Sequence, residues 1–218
     1  MNRLFHFTLL AFAIGLLASC SSASKSNWIG GAIQTHKWGY YSGYPETRWD
    51  PDGRSMTLLN ELRYTDPDGI LWVAPAGSKV DGASIPRSLW SLMGGPFEGK
   101  YRNASVLHDV AYEDKKRPWK DCDRMFYNAM RCSGVGALEA KTMYYSLVRF
   151  GHHWRFPIKR AKRVKPSELE EQVEAQQAEQ VPRAQPASTE DINATRDWIR
   201  NNDPSLQEIE QRAGLPPQ

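Results

Sequence analysis

Apolar and polar positions change pattern several times along this chain. Leu4 to Leu17 is apolar except for His6 and Thr8, shorter than the roughly 20 residues a spanning helix needs. Residues 25–54, rich in Gly, Tyr, Trp, Pro and Ser, keep no sustained period and read as a loop-rich lead-in. Met56 to Tyr64 and Ile70 to Val73 then predict two strands around Thr65-Asp66-Pro67-Asp68-Gly69. Pro presets one φ there and Gly supplies a positive one, which is a hairpin signal. Lys79-Val80 predicts a short strand, and Asp81-Gly82 a turn. A short helix is expected to begin at Ser84-Ile85-Pro86-Arg87 and to stop at Gly94-Gly95.

Helical spacing takes over in three segments: about Ala104 to Asp114, Pro118 to just before Gly134, and Ala137 to Phe150, ended by Gly151. The Lys115-Lys116-Arg117 joint is short enough to fold the first two into an antiparallel hairpin. After Phe156 come the basic positions Lys159, Arg160, Lys162, Arg163 and Lys165, then a stretch rich in Glu, Gln and Ala up to Glu190. Asp191 to Asn201 and Pro204 to Ala213 predict two short helices around Trp198, Ile199 and Leu206. The fold class is therefore α+β: a small antiparallel β element, a three-helix group containing a helical hairpin, and a flexible C-terminal tail. The expected parts are a leader (1–19), the lead-in (20–54), a globular domain (55–157), a charged linker (158–190) and a short helical tail (191–218).

Composition narrows this picture. The chain has 218 residues, of which 40% are hydrophobic, with 28 Lys plus Arg against 25 Asp plus Glu and a formal charge of +3. That excludes a collagen-like, wholly disordered or multi-span membrane chain, and gives no electrostatic reason to expect nucleic acid. Cys122 and Cys132 share one predicted helix about 15 Å apart, beyond the roughly 7 Å a disulfide spans. Both are expected to be buried free thiols.

The third cysteine lies in Leu17-Ala18-Ser19-Cys20, directly after the apolar run and before Ser21-Ser22-Ala23-Ser24. This resembles the bacterial lipobox, in which the cysteine thiol is acylated and becomes the new N-terminus after cleavage. The resemblance implies a lipoprotein signal peptide, lipidation of Cys20 with acyl chains such as palmitate, and a membrane anchor. Ser21 resembles a sorting signal for the outer membrane, which implies a bacterial cell envelope location facing the periplasm. The basic run from Lys159 suits a solvated segment or one lying on anionic headgroups.

The densest chemistry is His108-Asp109 with Tyr112, followed by Asp123. His108 and Tyr112 share a helix face. Asp123 falls on the apolar stripe of the next helix with Trp119, Cys122, Phe126, Ala129 and Met130. A carboxylate facing a core needs a partner. Across the hairpin that partner is His108, giving a His–Asp dyad able to serve as a general base. Asp109 is left to ligate a hard cation, with carbonyls of the stretch around Gly94 and Gly95 completing a Ca²⁺ site. Ser84 lacks a Gly-x-Ser-x-Gly elbow and reads as a helix-start residue, not a nucleophile. His152-His153 offers a zinc alternative with His108 and Asp123. The plainer alternative makes His108 a satisfied core histidine.

Two resemblances bear on these residues. Val80-Asp81-Gly82-Ala83-Ser84-Ile85-Pro86-Arg87, Tyr101-Arg102-Asn103-Ala104 leading into His108-Asp109, and Asp123-Arg124-Met125-Phe126 resemble the bacterial and phage family called domain of unknown function 1353, from about Met56 to Gly151. More locally, His108-Asp109-Val110-Ala111-Tyr112 and Cys122-Asp123-Arg124 are similar to the two helices that carry the site of secreted phospholipase A2 enzymes. That similarity implies His108 activating water, Asp109 holding calcium and Asp123 orienting His108, although the usual calcium loop and disulfides are missing.

Together these give an expected envelope lipoprotein that is a calcium-assisted phospholipid ester hydrolase. The alternative is a non-catalytic, envelope or phage-derived module that binds a protein partner. A contact between His108 and Asp123 beside an open cleft separates the two.

Overall fold

A computed structural model describes residues 28–29, 32–34, 37–82, 84, 94–95, 97–156, 178–181 and 188–214. The leader with Cys20, the expected short helix with Arg87 and Trp90, and the basic run at 159–165 lie outside these residues.

The β part is antiparallel throughout. One sheet has the order β1 (Trp28–Ile29), β2 (Ala32–Gln34), β3 (Tyr40–Ser42), β6 (Leu62–Thr65), β7 (Leu71–Ala74). A second joins β4 (Thr47–Trp49), β5 (Met56–Leu58) and β8 (Lys79–Val80). The single strand expected over Met56 to Tyr64 is in fact two. At Leu58 the chain still pairs, its N–H donating to the Ser78 carbonyl at 2.9 Å, but Leu59 donates to Glu46 at 2.7 Å and the strand direction is lost. Beyond this break β6 joins the other sheet, turning Leu62 and Tyr64 inward and Arg63 outward.

The β6–β7 hairpin has the predicted turn. Asp66 Oδ1 accepts from the Asp68 and Ile70 amides at 3.0 and 2.8 Å, and Oδ2 from the Trp72 indole at 3.0 Å. Buried Asp66 thus satisfies the turn's amides and fixes a core tryptophan in one step.

Three helices cover the sheets: α1 (Arg102–Asp114), α2 (Trp119–Cys132) and α3 (Ala137–Phe150). The first two form the expected hairpin, and α1 ends at Lys115 in the left-handed conformation, φ 47°. Tyr41 of β3 donates to the Ala129 carbonyl of α2 at 3.0 Å, tying the larger sheet to the helices. Cys122 and Cys132 are buried, and Cys132 Sγ donates to the Gly39 carbonyl at 3.4 Å.

Helix α3 is buried almost all round, because two more helices cover its outer side. These are α4 (Thr189–Asn202) and α5 (Leu206–Arg212), close to their predicted positions. They do not form a free tail. Ile192, Ile199 and Ile209 are buried, and Glu210 accepts from Tyr144 at 2.6 Å and Arg124 at 2.7 Å. The amphipathic faces that suggested helices also dictate docking, since an isolated helix this short is marginal in water. Among the described residues no helix is long and apolar enough to cross a membrane.

Candidate functional site

The turn after β8 meets the middle of α1 and α2. His108 Nε2 lies 3.0 Å from Asp123 Oδ1, with both side chains fully buried. Since the carboxylate only accepts, Nε2 carries the hydrogen of this bond. The opposite ring nitrogen, Nδ1, lies 3.0 Å from Ser84 Oγ. Ser84 Oγ in turn bonds to Asp109 Oδ1. Tyr112 donates to Asp123 Oδ1 at 2.5 Å, and its ring lies 4.1 Å from the imidazole. Phe126 closes another side at 4.8 Å.

Position 82 shows why this turn is built as it is. Gly82 has φ +71°, a region glycine enters without strain, and its amide points at Asp109 Oδ2 from 2.6 Å. The Asp81 amide reaches the same oxygen at 3.1 Å. Asp109 thereby locks the Asp81-Gly82 turn onto α1, which sets Ser84 over His108.

The outer end of this chain opens on a cleft of about 530 Å³. Its walls include Ser84, Asp109, Tyr112, Lys115, Trp154 and Gln180. His108 and Asp123 stand behind the wall, and among the described residues the hydrogen-bonded route from the imidazole to the cleft runs through Ser84.

The links from Asp109 to Ser84, Ser84 to His108 and His108 to Asp123 need one hydrogen each. Ser84 and a neutral imidazole bring one apiece, so a further proton must reside in the chain. Burial raises the Asp109 carboxyl above its ordinary value, although bonds from Ser84 and Gly82 oppose this. That favours Asp109 as the holder of the extra proton. Asp109 then donates to Ser84, and Ser84 is free to donate to Nδ1. Burial, reinforced by the neighbouring Asp123 carboxylate, pushes the Tyr112 phenol far above its usual range, so it remains a donor.

The predicted pair His108–Asp123 is therefore in contact, with Tyr112 on the same oxygen. Asp109 is adjacent, but its Oδ2 already accepts from the Asp81 and Gly82 amides and its Oδ1 shares a hydrogen with Ser84. Gly94 and Gly95 do not line the cleft, and the Gly95 carbonyl accepts from Tyr101 at 2.8 Å. The residues expected to hold Ca²⁺ thus do not fit it. His153 stacks on Trp119 with ring centroids 3.6 Å apart, while His152 lines the cleft. Among the described residues, no three or more His, Cys, Asp or Glu side chains are grouped to hold a metal. Ser84 is the residue that sequence reasoning set aside. The usable signal was its place two residues after Asp81-Gly82 within an ordered motif.

Residues 56–147 match the family described as protein of unknown function (DUF1353), which supports the resemblance carried by the three motifs. Uncharacterized protein y4jT of Sinorhizobium fredii (strain NBRC 101917 / NGR234) is 42% identical over 123 residues, 56% of this chain and 37% of that protein. Uncharacterized protein y4iH of the same strain is 35% identical over 107 residues, 49% of this chain and 45% of that protein. The chain thus spans less than half the length of these curated relatives. No solved structure matches it.

Proposed function

On a chain whose residues 56–147 match the DUF1353 family, we propose an acyl hydrolase that uses Ser84 as nucleophile, His108 as its base and Asp123 to orient the imidazole. One observation carries this reading: an unbroken hydrogen-bonded chain joins Ser84, at the cleft wall, to His108 and Asp123 in the interior. This is the arrangement nucleophilic catalysis needs, an activatable hydroxyl, a base, and a third group fixing the base.

In the step proposed, Ser84 Oγ bonds to the substrate's carbonyl carbon while its proton passes to His108 Nδ1. Asp123 stabilises the imidazolium. The proton then goes to the departing alcohol or amine as the acyl–heteroatom bond breaks. Water, deprotonated by His108, releases the acid and restores Ser84. That Ser84 and not His108 lines the cleft favours the serine hydroxyl as the first attacking group over a water activated at the imidazole, the step implied by the phospholipase likeness. If Cys20 is lipidated, the same cleft is held at the bacterial envelope.

The test is a fluorophosphonate probe and a p-nitrophenyl ester, applied to the wild type and to Ser84→Ala and His108→Gln. Covalent labelling at Ser84, located by mass spectrometry and lost in both folded variants, is the expected result. A folded wild type that neither labels nor turns over ester overturns the proposal. Chelators are expected to leave the rate unchanged.

A further inference from the structure

The cleft has one wall unlike the rest. Strand β9 (His153–Arg155) follows α3, and its partner β10 (Glu179–Val181) comes from the segment after the globular helices, outside the family match. The two run antiparallel, with Glu179 opposite Arg155, Gln180 opposite Trp154 and Val181 opposite His153.

The members of this pair are held very differently. Trp154 is buried, donates its indole N–H to the Arg117 carbonyl at 2.9 Å, and sets its ring edge-on to Tyr112 at 4.9 Å. All three residues of β10 are exposed, and among the described residues β10 pairs with β9 alone. Its side-chain tie is an Arg155–Glu179 bridge of 3.1 Å between largely exposed groups. Such a bridge is weak because solvent screens it, and a short ladder adds only a few modest bonds. The fixed strand therefore presents an edge beside Tyr112 and Ser84, and its present occupant is a short extended peptide whose three strand residues all fall in the exposed range.

We infer that β9 is a strand-addition site for an extended polypeptide carrying an acidic side chain opposite Arg155, and that β10 is the chain's own stand-in for it. Strand addition supplies affinity through main-chain bonds and specificity through alternate side chains. The Glu179–Arg155 bridge and the placement of Gln180 in the cleft describe that pattern. This deepens the hydrolase reading by making the substrate a peptide. It rests on that reading for the bond attacked, not for the binding.

The experiment measures fluorescence anisotropy of a labelled peptide reproducing residues 176–184, titrated with the full chain in detergent. One variant combines Glu179→Pro, Gln180→Pro and Val181→Pro, since proline cannot donate to a ladder. A linked strand competes at an effective concentration that reaches the millimolar range, so the triple variant is expected to bind the peptide at least about 10-fold tighter than wild type. Adding Arg155→Glu to it is expected to weaken binding about 5-fold or more. Equal affinity in wild type and triple variant, or no binding by a triple variant that melts like wild type, overturns the inference. A much lower melting temperature in the triple variant also overturns it, by making β10 a structural staple. Peptide that binds but is never cleaved leaves this inference standing and removes the hydrolase reading alone.

Discussion

Ser84 and His108 lie 24 positions apart in the chain, and the Oγ of one meets the Nδ1 of the other at 3.0 Å. The contact joins the turn after β8 to the centre of α1. Every further link is deeper, ending at Asp123, where Oδ1 takes two bonds and Oδ2 has no protein partner among the described residues.

The two ends of the chain should therefore respond differently to truncation. Asp123→Ala strips His108 and Tyr112 of their shared acceptor in a sealed site, and is expected to cost about 3–5 kcal/mol. Ser84→Ala, at the cleft wall, is expected to cost about 1–2 kcal/mol. Chemical denaturation of both variants checks this. Equal losses would mean that the site has no such gradient of burial.

Asp109 sets a pH dependence. Its folded value is raised above the 3.8 of an unperturbed carboxyl, so the folded state holds the proton longer than the unfolded chain. The stability from this group is complete below 3.8 and is lost as pH rises through the elevated folded value. Asp109→Asn keeps a donor toward Ser84 and an acceptor toward Gly82, and removes the titration. Denaturation midpoints compared at about pH 4 and about pH 7 should fall less in Asp109→Asn than in wild type. A variant as steep as wild type would count against the assignment.

Two glycines of similar φ should differ sharply. A Cβ at Gly39, φ +77°, would stand 2.1 Å from the Thr65 carbonyl oxygen, whereas one at Gly134, φ +80°, would meet nothing within 4 Å. Gly134→Ala is expected to cost about 1 kcal/mol from the backbone alone. Gly39→Ala must also push β3 from β6, and should cost about 3 kcal/mol or more. Thermal melts of the pair decide it, and similar losses would contradict the close approach at Gly39.

Lipidation is tested at Cys20. Expressed with its leader, the wild type should partition into the detergent phase and incorporate labelled palmitate, and Cys20→Ser should do neither. A Cys20→Ser protein that still carries label would move the acyl group elsewhere.

Much of the helical part was legible because its signals are local. The i, i+4 spacing placed His108 with Tyr112, and the apolar stripe of α2 aimed Asp123 at them. The β part was harder. Strands of two to four residues carry little periodicity, and the sheet change at Leu59 depends on a carbonyl at Glu46 far behind it. Ser84 was read as a helix-start residue for a related reason. A serine beside a turn has a sufficient local explanation, while its partners came from α1, fixed there by two amides on Asp109. The calcium expectation meets its difficulty at the same atoms, because motif spacing says nothing about which oxygens are already taken.

The docking of α4 and α5, with Tyr41 reaching α2 from the opposite side, separates two boundaries that are easily conflated. The family match covers 56–147, but the burial of α3 depends on residues up to Ala213, and that of Ala129 on a strand that begins at Tyr40. The family-model range marks one boundary, whereas the cooperative unit is larger. Amide exchange should find α3 and α5 opening together. A recombinant fragment cut at the family limits would expose the apolar flank of α3 and aggregate, whatever its chemistry.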